Sequence, residues 1–171
     1  MNHKPDLLLT FEYTPEIVYP DGRIDVGETV RNVIPRAGVD HVVGLIKGDV
    51  APIANWYVGV FQGNYTPTSN TTAADLQTSA QESQAYEEAT RPLWQNAYDG
   101  VGVIDNVANR AVFTFNAART IYGAFLVSNS AKGGNTGLLL SIARFASPRA
   151  VDAGAQLRVA AGLTLVPTNL I

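Results

Sequence analysis

The chain has 171 residues, a formal net charge of −3 and no cysteine, with 46% apolar and only 16% charged residues. These values rule out disulfides and thiol chemistry, and they give no basic footprint for nucleic-acid phosphates. The length suits one compact domain with a core of its own, and no stretch approaches the roughly 18–20 apolar residues that cross a bilayer.

The opening MNHKPDLLLTFEYTPE lacks the shape of a signal peptide. Leu7 to Leu9 is too short an apolar core, and acidic residues follow it at once. Cytoplasmic synthesis without general secretory export is therefore expected. From Asp6 to Thr14 the chain alternates loosely (Leu7, Leu9, Phe11, Tyr13), the period of a half-buried strand. Tyr19-Pro20-Asp21-Gly22 is a turn, since proline presets φ and Asp-Gly accepts positive φ. Arg23 to Ile34 offers a second strand, so residues 1–30 read as an N-terminal arm or hairpin, with 31–171 as the main domain. Pro35 ends that strand.

Arg36 to Lys47 is the best helical segment. Val39, Val42, Val43 and Ile46 follow the i, i+3, i+4, i+7 spacing of one apolar stripe, and Gly48 supplies a stop. Asn55 to Gln62 is a strong strand, rich in β-branched and aromatic residues. Gly63 to Thr72 is a loop. Thr72 to Glu88 reads equally as a short helix, through Ala73, Leu76 and Ala80, or as an ordered loop. Beyond it, 102–104, 110–115, 120–128, 137–145 and 156–166 are strand-like. Turns at Asp105-Asn106, Asn116-Ala117, Lys132 to Asn135 and Pro148 to Gly154 separate them. Short strands between Gly/Asn/Pro turns, without a βαβ rhythm, predict an all-β protein: an antiparallel β-sandwich or barrel with one short helix.

Catalytic patterns are sparse. His3 and His41 have no partners at metal-ligand spacing, and no Gly-x-Ser-x-Gly elbow supplies a serine nucleophile. Glu87 and Glu88, with Glu82 upstream, are the acidic group available for sugar-cleaving chemistry, but adjacent carboxylates point apart. Asp21, Asp25 and Glu28 depart from calcium-loop spacing. Lys132-Gly133-Gly134-Asn135 has the composition of a phosphate loop, yet it leads into a strand where a P-loop needs a helix. No metal or cofactor is expected. The aromatics Trp56, Tyr57, Phe61, Tyr86, Trp94 and Tyr98 suit either a sugar-binding face or core and interface positions. Arg91-Pro92-Leu93-Trp94 places an arginine and a tryptophan beside a proline, residue types that anchor protein interfaces. Arg91, Pro92, Trp94 and Tyr98 are accordingly the candidate interface residues.

Five stretches taken together carry a resemblance: NVIPRAGVDHVVGLI (32–46), NWYVGVFQGNYTP (55–67), SQAYEEATRPLW (83–94), NRAVFTFNAARTIYGAFLVS (109–128) and GLLLSIARFASPRAVDAGAQLRVAAGLTL (137–165). Their order resembles that of a family of small structural proteins of tailed bacteriophages, over about residues 30 to 166. Each stretch alone is unspecific. The resemblance implies a non-enzymatic virion component made in the host cytoplasm. Its expected role is a capsid decoration or cement protein on the exterior of the head, bound to the major capsid protein and to itself, as a homotrimer at local threefold positions. A tail or head–tail-junction component is the alternative within the family. A host-glycan-binding module and a glycan-cleaving enzyme using Glu87 or Glu88 are the alternatives outside it.

Overall fold

The computed structural model describes residues 10–165. The readings at His3, Leu7, Leu9 and Val166 lie outside them. Strand β1 (Thr10–Val18) is followed by two short strands, β2 (Ile24–Val26) and β3 (Val30–Arg31), and by helix α1 (Arg36–Lys47). Next come β4 (Tyr57–Phe61), one turn of helix α2 (Asp75–Thr78), and the short strands β5 (Ala97–Tyr98) and β6 (Val103–Asp105). A 3-10 turn at Val107–Asn109 leads to β7 (Ala111–Thr114), β8 (Arg119–Val127), β9 (Leu139–Val151) and β10 (Gln156–Thr164).

Two antiparallel sheets form a β-sandwich, as the turn-punctuated strand pattern predicts. The larger runs β2-β1-β10-β6-β5, with β3 also on β1 and β7 also on β10; the smaller is β4-β8-β9. β1 pairs with β10 along its whole length, from Thr10 opposite Thr164 to Val18 opposite Gln156. Phe11, Tyr13 and Ile17 of β1 enter the main core beside Phe113, Leu157 and Val159. Of the two N-terminal readings, arm or hairpin, the described residues show the hairpin. From Thr10 onward it is central to the sheet, because its apolar alternation is matched by the inward residues of β10. The second strand also differs. Gly27 to Thr29 interrupts it, leaving β2 and β3 as two pieces along one edge of β1.

The smaller sheet is apolar on both faces. Val58, Val60, Ala124, Leu126 and Leu140 face the larger sheet, whereas Phe61, Phe125, Val127, Leu139 and Ile142 pack under Ala73, Leu76 and Ala80. The polar-looking 63–82 segment is therefore a lid over that second face. It holds the single turn of α2 within an ordered loop, which resolves the helix-or-loop alternative in favour of both. Burial on two sides explains why IYGAFLV and GLLLSIARF show continuous apolarity instead of alternation. At Gly123 a Cβ would lie 2.1 Å from the Ala143 carbonyl oxygen and 2.3 Å from the Phe61 ring. Only glycine lets the lid-side aromatics close there.

The turn expected at Pro148 to Gly154 is shorter than read, because β9 continues to Val151. Pro148 is accommodated in a break of register between the Ile121–Arg149 and Gly123–Arg144 pairs, where no ladder hydrogen bond is required of it. A similar repair occurs between β6 and β7. There the buried Asn106 carboxamide accepts from the Ala161 N–H at 2.7 Å and donates to the Val159 carbonyl at 3.3 Å.

Two buried phenols differ in their surroundings. The Tyr13 hydroxyl donates to Ser141 Oγ at 2.8 Å, an oxygen also reached by Asn32 Nδ2 at 2.8 Å, so the two sheets are bolted together. The Tyr86 hydroxyl is buried with no hydrogen-bond partner. Burial pushes both phenols well above the ordinary tyrosine range. The stability that depends on their neutral form is complete below the unfolded tyrosine value and is lost as pH rises toward the folded value. In an alkaline absorbance titration, Tyr13 and Tyr86 are expected to ionise only in a step coincident with loss of near-ultraviolet circular dichroism. That step should shrink in Tyr13→Phe and Tyr86→Phe. Tyr13→Phe is expected to cost about 1–2 kcal/mol, whereas Tyr86→Phe should be neutral or stabilising. Ionisation of both phenols before unfolding would contradict this account.

Candidate functional site

The four candidate interface residues separate into interior and surface positions. Arg91 is fully buried, and its side chain is saturated by the chain itself. Its Nε and Nη2 donate to the two carboxylate oxygens of Glu82 at 2.7 and 2.6 Å. Nη1 donates to the Asn129 carbonyl at 2.8 Å, and Nη2 also to that of Gly134 at 2.7 Å. Glu82 accepts further from Gln77 Nε2 at 2.9 Å and from the Gly133 N–H at 3.1 Å. Trp94 is buried as well, with its indole N–H donating to the Ala161 carbonyl at 2.9 Å and its ring tilted against Phe11. Neither residue can touch another molecule, so their reading as interface anchors is corrected. Interface anchors and core bolts share a chemistry, a large apolar body with directional donors, and the sequence motif alone does not separate them. Pro92 is half-buried beside Leu93 on the rim of a shallow cleft of about 340 Å³. Tyr98 stays at the surface, 64% exposed.

The other chemical candidates are likewise tied into the structure. The Glu88 carboxylate caps the Thr114 N–H at 3.1 and 3.0 Å, while Glu87 faces solvent. His41 is buried edge-on against Trp56, with ring centroids 5.9 Å apart. The Lys132 to Asn135 loop is the β8–β9 hairpin turn that the sequence predicts. Its lysine donates to the Tyr86 carbonyl at 2.8 Å and lies over the Tyr86 ring. Asp21 pairs with Arg23, and Asp25 with Arg149. Among the described residues, no three His, Cys, Asp or Glu side chains converge as a metal set would. Of the aromatics offered for a sugar face, Phe61, Tyr86 and Trp94 are core and Trp56 and Tyr57 are half-buried. Tyr98 is the exposed one, and a stacking platform needs a broader aromatic surface than one ring.

The surface also displays apolar side chains, among them Ile24 and Val26 on the β2 edge, and two further displays stand out. The first is α1. Its span agrees with the sequence expectation, and its apolar stripe faces outward. The buried positions are Gly38, His41 and Gly44, whereas Val39, Val43 and Ile46 are exposed, Ile46 by 82%. The cause is a close approach: a Cβ on Gly38 would stand 2.6 Å from the Leu140 carbonyl oxygen. The helix backbone settles on the start of β9 at Gly38 and on Val50 at Gly44, and the apolar stripe is left outward with Val42 only partly covered. Periodicity locates a stripe, but it does not say which side the subunit covers.

The second place is the β5–β6 hairpin, where Tyr98 and Val101 project, Val101 by 79%. With Ile104, Leu163 and Leu165 they border an open cleft of about 440 Å³. The hairpin is held rigid by Asp99, whose carboxylate accepts from the Val101, Gly102 and Val103 N–H groups at 2.8, 3.1 and 2.9 Å. Those N–H groups, Val103 first, hold its carboxyl below the usual carboxylate range. Sequence reasoning missed this hairpin. The available signal was Asp-Gly-Val-Gly at 99–102, an Asx-turn composition between two apolar residues. No helix of the described residues is long and apolar enough to cross a membrane. Compared with known proteins, the chain matches no family model and no curated sequence.

Proposed function

We propose that the chain is a non-enzymatic structural protein of a tailed-bacteriophage virion, a decoration or cement protein that binds the assembled major capsid lattice and stabilises the head. The observation that carries the reading is the pair of separate apolar displays, the α1 stripe and the Tyr98–Val101 hairpin. A protein that cements a shell needs at least two contact surfaces on a body that does not deform between them. Here the rigid body is the doubly packed smaller sheet clamped to the larger one, and each display stands on a different sheet. Exposed aliphatic surface is costly in water, and its natural use is burial against a partner. A protein that binds the assembled shell but not its separated parts favours the shell by mass action, and many modest contacts add up. The resemblance of the motif order to tailed-phage structural proteins supports the same reading, and no step of it needs a catalytic group.

Particles lacking this chain provide the test. Purified protein should bind them saturably, at a copy number matching the capsid lattice, and raise the temperature at which they release their genome. Val101→Asp should weaken that binding without altering the fold. Binding at a copy number matching the single tail axis would shift the placement to the tail or head–tail junction. A protein that stays monomeric and binds neither would sink the virion reading.

A further inference from the structure

We infer that α1 is a self-association element, its exposed seam packing antiparallel against the same seam of a second copy about a two-fold axis. This rests on the reading of the chain as an assembly protein, of which it names one partner. Three features of the helix support it. Val39, Val43 and Ile46 are spaced four and then three residues apart, all exposed. That is the alternation of an interhelical seam, in which side chains of one helix fill the gaps of another. The side turned toward the subunit is already closed by Gly38, His41 and Gly44, so the seam has no partner within its own fold.

The charges flanking the seam choose the arrangement. Asp40 and Lys47 lie seven residues apart, two helical turns, and so on the same flank, both exposed. In an antiparallel pair centred beside Val43, Asp40 of each copy faces Lys47 of the other, making two complementary contacts. Val43 and Ile46 then meet Ile46 and Val43 of the second copy. A parallel arrangement about a threefold axis turns this flank toward the opposite flank of the next copy, where Val42 lies, and gains no charge pairing. Lys47 rests on Asp49 in the isolated subunit, an exposed ion pair that exchanges readily for another. The charge pattern therefore favours a two-fold pair through α1 over the homotrimer that the family resemblance implies.

A helix of 12 residues is about 18 Å long and offers less than the roughly 800 Å² per partner of a standard stable interface. The pair is correspondingly weak and reversible in dilute solution, and it gains from repetition once copies are held close on a lattice.

Sedimentation velocity on the full chain, from about 10 μM to about 1 mM, tests it. The expected result is a concentration-dependent dimer. Ile46→Lys, at a residue outside the core, should remove it, and Asp40→Lys should raise the dissociation constant about tenfold. The doubly reversed Asp40→Lys/Lys47→Asp variant should pair with itself as the original does, and pair poorly with the unmodified protein. A chain that remains monomeric at the highest concentration overturns the inference, as does a dimer indifferent to Ile46→Lys or a charge reversal that fails to restore pairing. Particle binding by a chain that never pairs, lost on Ile46→Lys, would assign the seam to the capsid protein and defeat the self-pair alone. Pairing without any particle binding would defeat the capsid reading and leave the pair intact.

Discussion

Replacing Arg91 by methionine is expected to cost about 3–5 kcal/mol of folding stability, more than almost any surface substitution in this protein. The reason is the fate of Glu82. Both side chains are wholly shielded from solvent, and the carboxylate is held in the interior by the two guanidinium contacts at 2.7 and 2.6 Å. Without the arginine, the Glu82 carboxylate is left in the interior without its counter-charge and without two of its donors. Replacing both partners, Arg91→Met with Glu82→Leu, should recover most of the loss, since a buried ion pair adds little over well-packed apolar groups. Recovery should stop about 1–2 kcal/mol short, because the Asn129 and Gly134 carbonyls and the Gly133 N–H are left without partners. Urea denaturation of the two single variants and the double variant closes the cycle. Additive losses would show that the pair is not the clamp described here.

The clamp also bears on function. Arg91 and Glu82 tie the end of the 63–82 lid to the β8–β9 turn, and Lys132 adds a second tie to Tyr86. The smaller sheet is thereby fixed under its lid, and α1 rests on that sheet at Leu140. Weakening the clamp should loosen the seat of α1 before it touches the hairpin on the other sheet.

The sequence was legible where one local signal decides the outcome. Pro35 and Gly48 bracket α1, and φ of +76° at Gly48 is the left-handed stop that the sequence implies. Alternation in AVFTF gives β7 and its inward faces, and Lys132 to Asn135 gives the β8–β9 turn. It was not legible where an outcome depends on what lies across the fold. Nothing in RAGVDHVVGLIK says that Gly38, and not the valines, will face β9, because that follows from how closely Leu140 approaches. Nothing in ATRPLW says that Arg91 will meet Glu82, since the pair closes only after the lid has folded over β4. The N-terminal strand reads as peripheral for the same reason, as its partner β10 stands at the opposite end of the chain. Long-range contacts determined these three features, and with them the outward placement of the α1 stripe.

Trp94→Ala is the other substitution with a large expected effect, about 3–5 kcal/mol, with a fall in melting temperature on the order of 10 °C for a chain of this length. Two losses add. Removing the indole leaves a void against Phe11 in the main core, and the Ala161 carbonyl in the middle of β10 loses its donor. Trp94→Phe fills most of the space and restores no hydrogen bond, so it should fall between the two, nearer the original protein. Tyr98→Ala, at an exposed ring, should leave stability within about 0.5 kcal/mol. This contrast decides how any binding experiment on this protein is to be read. Activity toward a glycan or a capsid that disappears in Trp94→Ala reports loss of the fold, because that ring meets no solvent-borne partner. Activity that disappears in Tyr98→Ala, with melting temperature unchanged, reports the hairpin surface itself. If instead Trp94→Ala melts with the original protein and loses binding, the indole must reach the surface in solution, and the placement of Trp94 as a core bolt is wrong.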